Sequence, residues 1–229
     1  MKRLGIIGGI GPESTMVYYR KIMAAGSELL GVAPPVLINS IDVQKLLNLA
    51  EVDPVPGLRD YLLAEIAVLS QAGASIVLIA ANTPHIVFDD VRERSPVDLV
   101  SIVESTCDAV RERGLTRPAL LGTRFTMEGR FYSDVFSRAG IELVRPHETE
   151  QAFIHEKYVG ELLKNTFLSD TRARILTIIQ TMKERDRIDG VILAGTELPL
   201  LLTEERAFDI PLLDTAQLHV TAAVRQAWG

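Results

Sequence analysis

Two stretches constrain the fold of this chain more than any other: Ile76-Val-Leu-Ile-Ala-Ala-Asn-Thr-Pro-His85 and Gly190-Val-Ile-Leu-Ala-Gly-Thr-Glu197. Each is an apolar run of strand character that stops abruptly in small, hydroxyl and amide residues. That is the pattern of a buried parallel strand delivering polar groups to the rim of a sheet. A second pair repeats the asymmetry, with Leu4-Gly-Ile-Ile-Gly-Gly9 ahead of the first stretch and Ala119-Leu-Leu-Gly-Thr123 ahead of the second. Gly8 and Gly122 lie 114 positions apart, and Thr83 and Thr196 lie 113 apart. The near-equal offsets predict a duplicated half-fold with one site between the halves.

The segments between these strands carry helical periodicity. Gly8 to Thr15 forms a glycine-rich turn out of the first strand, with Pro12 and Ser14 suited to start a helix over Met16 to Leu30. A strand at Val36 to Ser40 follows. Then comes a polar, proline-containing loop at Glu51 to Gly57, a candidate flap, and an amphipathic helix from Leu58 to Ala72 closed by Gly73. The crossover between halves is expected near Val97 to Ser101. Beyond it the pattern predicts helices at Val103 to Arg113, 129–139, Glu156 to Lys164 and Thr171 to Arg185, with strands at Pro118 to Leu121, Glu142 to Val144 and Val191 to Ala194. Alternation of this kind predicts an α/β protein of parallel sheets flanked by helices, joined by right-handed crossovers.

Composition narrows the function. The net charge of −6 and the scattered Lys and Arg residues give no footprint for nucleic acid or an anionic membrane surface. No apolar stretch reaches the roughly 18 residues that span a bilayer, and the start of the chain runs straight into a strand, so a cytoplasmic protein is expected. The one cysteine, Cys107, excludes an internal disulfide framework and a thiolate-rich metal site, and its helical surroundings predict a packed, inert thiol. The four histidines show no metal-ligand spacing. Gly8, Gly9 and Gly11 do not give the dinucleotide-binding spacing, which argues for a tight rim loop instead.

With the elements placed, Gly8-Gly-Ile-Gly-Pro-Glu-Ser-Thr15, Asn82-Thr-Pro-His85, Leu120-Leu-Gly-Thr-Arg-Phe-Thr-Met127 and Thr196-Glu197 stand in the order and spacing of the aspartate/glutamate racemase superfamily. The chain resembles in particular its branch of broad-specificity amino-acid racemases, and the resemblance covers essentially its whole length. It implies two pseudo-symmetric lobes with a substrate cleft between them and no cofactor or metal. The expected division is residues 1–98 plus 210–229 for the N-terminal lobe and 99–209 for the C-terminal lobe, with the tail returning to the first lobe. Family members are often dimers, so a homodimer is expected.

The resemblance also implies one catalytic cysteine per rim, immediately before Asn-Thr in the first lobe and immediately before Thr-Glu in the second. Here those positions hold Ala81 and Gly195. Neither can ionise, so a two-thiol mechanism, with acid and base on opposite faces of one carbon, has no groups to run on. The missing side chain at Gly195 is expected to open space for water or a bulkier substrate.

What remains has two readings at each residue. Asn82, Thr83, Thr123 and Thr196, with Gly11, Ser14 and Thr15 of the first loop, resemble the family's substrate-binding groups. The plain alternative for the first four is capping of the helices that follow them. Glu197 is a candidate base tuned by burial or a first-turn acid favoured by the helix dipole. His85 is a candidate acid or base, or else points away to satisfy a neighbouring carbonyl. His219 matches a family feature expected to be structural. Lys45 alone, near the loop that would read a distal carboxylate, argues against a preference for aspartate or glutamate. The expectation is a cofactor-independent isomerase-type protein acting on a small amino or carboxylic acid without the thiol pair. The alternative is a catalytically silent small-acid-binding or regulatory protein.

Overall fold

A computed structural model describes all 229 residues, which divide into two compact units. The first comprises Met1–Ser105 with Ala216–Gly229, the second Thr106–Thr215.

In chain order the first unit is built from β1 (Leu4–Gly8), α1 (Pro12–Leu30), β2 (Val36–Ser40), α2 (Val43–Val52), α3 (Arg59–Gln71), β3 (Ile76–Ile79), α4 (Phe88–Arg94) and β4 (Asp98–Val100). The division falls within the next helix, α5 (Ile102–Glu112). The strands form one sheet in the order β2-β1-β3-β4, parallel throughout. Every residue of β1 and β3 is buried, as a sheet covered on both faces requires. Alternation divides their side chains between two cores. Leu4, Ile6, Ile76 and Leu78 pack with Tyr18 and Ile22 of α1, whereas Ile7, Val77 and Ile79 pack with Leu62, Ile66 and Leu69 of α3.

The second unit contains β5 (Pro118–Gly122), α6 (Arg124–Glu128), α7 (Arg130–Arg138), α8 (Glu148–Gly160), α9 (Ser169–Asp186), β6 (Gly190–Ala194), α10 (Leu198–Leu201), β7 (Arg206–Ala207) and β8 (Ile210–Asp214). Its sheet runs β5-β6-β8-β7, parallel except for the last pair. One face is covered by α8 and α9, which bring Ile154, Tyr158, Ile175, Ile178 and Ile179 onto Ala119, Leu121, Val191 and Leu193. The last helix, α11 (Thr215–Trp228), adds Val220, Ala223 and Val224 to the first unit's core.

Several expected boundaries move. Asp98–Val100, read as a crossover, is the edge strand of the first sheet, paired with β3. Ile210–Asp214, expected with the N-terminal lobe, hydrogen-bonds alongside β6 in the second sheet, and only the helix after it joins the first unit. The strand expected at Glu142 to Val144 is reduced to a single bridge between Ala119 and Val144. Helix α8 begins eight residues earlier than its apolar pattern, because His147 and Glu150 form a capping box that starts it. The segment expected as a flap, Glu51 to Gly57, is helical in part: α2 runs on to Val52, which is exposed together with Val55, and a short helical turn over Pro54–Leu58 ends in the fully buried Leu58.

Candidate functional site

Both units present the same local device at their first strand. The strand ends in a glycine, Gly8 or Gly122, whose backbone lies against a threonine of the following helix. A Cβ at Gly122 would stand 2.9 Å from the Ala194 carbonyl oxygen and 3.2 Å from Thr126 Cβ, and one at Gly8 would meet Oγ1 of Thr15 at 2.8 Å. Thr15 Oγ1 accepts a hydrogen bond from the Gly9 amide at 2.8 Å and donates to the Gly11 carbonyl at 3.2 Å. Both Gly9 (φ 81°) and Gly11 (φ 91°) have left-handed backbones, so this hydroxyl ties down a loop that only glycine forms without strain. The geometry thus gives Thr15, expected as a substrate contact, a loop-holding role, while Ser14 beside it is buried. Thr15→Val keeps the shape and removes the hydroxyl. It is expected to cost about 1–2 kcal/mol, since the Gly9 amide loses its partner. Urea unfolding of the two proteins checks this.

The end of β3 is the first of the two rims. Ala81, Asn82 and Thr83 are half-buried there, and the chain continues into a tight helical turn over Thr83–Val87. Asn82 stands at the start of that turn without making a side-chain capping bond, so the capping alternative is not the one it adopts. His85 makes the contacts of the second of its two readings, a ring that satisfies a neighbouring carbonyl. Its Nδ1 lies 3.0 Å from the Ala81 carbonyl and therefore carries the proton it donates there, while Nε2 accepts the Ile102 amide at 3.2 Å. Its ring is 3 % exposed and stacks on Phe88 at 4.9 Å. With both nitrogens engaged by backbone, no position on the ring is open to a ligand. Burial, reinforced by the nearby His219 ring, pushes His85 down to about 3, so the imidazole is neutral at any ordinary pH. His219 is built the same way: Nε2 donates to the Val100 carbonyl at 2.9 Å and Nδ1 accepts the Tyr18 hydroxyl at 3.0 Å. His85 thus ties the turn after β3 to the start of α5, and His219 ties α11 to β4 and α1.

The end of β6 is the second rim, and it differs from the first. Gly195 and Glu197 are buried, and Thr196 between them is half-buried. Glu197 opens the short α10 without capping it and instead accepts a hydrogen bond from the hydroxyl of Tyr158, a residue of α8. Burial, then the adjacent Glu197 charge, holds the Tyr158 phenol well above its usual range. The space expected beside Gly195 is filled. A Cβ built there would lie 2.7 and 2.8 Å from Tyr158 Cζ and Cε2, with the phenol oxygen closer still. Sequence reasoning missed Tyr158. At 154, 158 and 162 the apolar side chains of this segment repeat at helical spacing, which reads as a core face, and nothing local marks the hydroxyl.

Of the remaining candidates, Thr123 caps α6, accepting the Thr126 amide at 3.4 Å with the two hydroxyls 3.2 Å apart. Lys45 is exposed, its amine 4.3 Å from the centre of the Tyr61 ring. Cys107 is buried within α5. No group of three His, Cys, Asp or Glu side chains is placed to hold a metal ion, and no helix is long and apolar enough to cross a membrane.

Strand ends of this kind, each turning through small residues and Thr into a helix, are what the sequence motifs describe, and they lie within a family match. The Asp/Glu/Hydantoin racemase family model matches residues 7–223. The chain belongs to that family. An aspartate racemase homologue from Pyrococcus horikoshii is 32 % identical, with a TM-score of 0.88 and 99 % of each chain covered. The broad specificity amino-acid racemase RacX of Bacillus subtilis is 21 % identical over 93 % of this chain and 92 % of its own. Glutamate racemase from Francisella tularensis, solved in complex with D-glutamate, shares the fold at 12 % identity, with a TM-score of 0.65 over 98 % of this chain and 80 % of that one. The α/β architecture of two helix-flanked sheets is therefore the family's.

Proposed function

We propose that this racemase-family protein acts on a small amino or carboxylic acid by cofactor-independent proton chemistry in which no strand-end thiol takes part. The observation that carries the reading is the pair of positions where the resemblance implies cysteines. Ala81 is an unreactive methyl at the end of β3, and Gly195 has no side chain and is backed by Tyr158. The one cysteine of the chain is buried in a helix. Around those positions the hydroxyl and amide groups suited to a carboxylate persist, namely Asn82, Thr83 and Thr196. Of the two candidate proton carriers, His85 is committed to backbone partners, which leaves Glu197. A chemistry with one competent rim favours proton removal and return at a single face over inversion, because inversion needs an acid and a base on opposite sides of the carbon.

The test is incubation of the purified protein with a panel of L- and D-amino acids and small carboxylic acids in deuterated water, followed by NMR. Loss of the Cα proton signal without appearance of the opposite enantiomer is the expected outcome. Rapid racemisation contradicts the one-face reading. Absence of any exchange, together with thermal stabilisation by a small acid, replaces an enzyme with a binding protein.

A further inference from the structure

We infer that Tyr158 and Glu197 form a single proton-relay unit at the end of β6, with the phenol occupying the place that a side chain at position 195 would take and acting as the group that meets the substrate carbon. This rests on the reading above that the protein moves a proton on a small acid.

Four observations converge on it. The Tyr158 hydroxyl donates to the Glu197 carboxylate. The ring of Tyr158 stands where a Cβ at Gly195 would be, so the phenol and a residue-195 side chain are mutually exclusive occupants of one spot. That spot lies immediately past the end of the fully buried β6, next to the half-buried Thr196. Finally, Tyr158 is held on the helix side by the core residues Ile154 and Leu162, so its oxygen is positioned without help from a flexible loop.

The chemistry balances as a relay. The Cα–H bond of the bound acid breaks and its electron pair stays on the substrate, delocalised into the adjoining carboxylate. The proton bonds to the Tyr158 oxygen as that oxygen's own proton passes to the Glu197 carboxylate. Tyr158 remains a neutral phenol throughout, and Glu197 changes from carboxylate to neutral carboxyl. Reversal returns a proton to the same face. The raised phenol value fits this role, since a phenolate beside a buried carboxylate is strongly disfavoured and a relay never forms one.

The experiment compares wild type, Tyr158→Phe and Glu197→Gln in the deuterium-exchange assay, with folding of each checked by thermal unfolding. Phe keeps the ring and its packing. For an exchanging acid, Tyr158→Phe is expected to lower kcat about 100- to 10,000-fold, the usual range for loss of a general acid or base, with KM within about twofold. Glu197→Gln is expected to lose kcat similarly, again with KM within about twofold. If Tyr158→Phe does not fold, Glu197→Gln decides the matter on the same readouts. Wild-type exchange that persists in folded Tyr158→Phe, or in folded Glu197→Gln, overturns the relay while leaving the proposed function standing. Absence of exchange in the wild type overturns both.

Discussion

Gly195→Cys is expected to destabilise the second unit by about 3 kcal/mol or more and to yield no thiol-dependent activity. A Cβ at 195 lies 2.7 and 2.8 Å from Tyr158 Cζ and Cε2, distances that no side-chain carbon tolerates. Tyr158 is 4 % exposed and wedged among Ile154, Leu162, Leu193 and Leu198, so the ring has no empty volume to swing into. Accommodating the thiol therefore means either overpacking, typically about 1–3 kcal/mol, or expelling a buried aromatic, about 3–5 kcal/mol, and it also breaks the hydrogen bond to Glu197. Ala81→Cys is the contrasting case: position 81 is half-buried, and the change is expected to stay within about 0.5 kcal/mol. The double replacement Ala81→Cys with Gly195→Cys should consequently not recover a two-thiol racemase. Adding Tyr158→Ala should make Gly195→Cys less costly than the two single changes summed, by about 2 kcal/mol, because they compete for one volume. Urea unfolding of the four proteins followed by circular dichroism measures this coupling. Additive effects would show that the ring and the residue-195 side chain do not share space.

The parts of the molecule legible in the sequence are those fixed by local chemistry. Fully buried strands announce themselves as unbroken apolar runs, and the glycine, proline and threonine that follow β1, β3, β5 and β6 mark where each chain turns away. The edges were less legible for a physical reason. Asp98–Val100 is three residues long and pairs with one neighbour, so it has too few side chains to display a period. Ile210–Asp214 carries Pro211 and reads as a tail, yet its place beside β6 is set by a tertiary ladder. The site shows the same split. That positions 81 and 195 lack thiols is plain from the residue names, but the consequence at 195 depends on a helix residue 37 positions upstream. His85 made the opposite impression: an imidazole beside a rim looks reactive until the Ala81 carbonyl and the Ile102 amide, one of them seventeen residues away, are seen to take both nitrogens.

Burial of His85 and His219 as neutral rings makes stability fall as pH drops from about 6.5, and the second large effect is expected here. The unfolded chain carries histidines of ordinary value, 6.5, whereas in the folded protein burial lowers His85 to about 3 and His219 to about 4. Below pH 6.5 the unfolded state binds protons that the folded state refuses, so the sign is unambiguous: stability is intact above 6.5, declines through the window, and the loss is complete only below the folded values. Each histidine contributes a slope approaching about 1.4 kcal/mol per pH unit, so the pair should remove about 2 kcal/mol between pH 6 and pH 5. The groups around them supply no compensating charge: the two rings lie 6.0 Å apart, Tyr18 faces His219, Phe88 stacks on His85, and the hydrogen-bond partners besides Tyr18 are backbone carbonyls and an amide. Carboxylates whose pairing holds them low, such as Glu150 and Asp186, start from ordinary values of 4.5 and 3.8 and so act below the interval from pH 6 to pH 5. The one tryptophan, Trp228, belongs to the same unit and donates its indole N–H to the Lys2 carbonyl at 2.9 Å, so its fluorescence reports the unfolding that matters. Urea midpoints at pH 7, 6 and 5 should fall in step for the wild type, and His219→Gln, though less stable at pH 7, should show about half the slope. Equal midpoints at pH 6 and 5 would mean that both rings take up protons without opening the fold, and half the expected fall in the wild type that one of them does, contrary to the bonding described for their nitrogens.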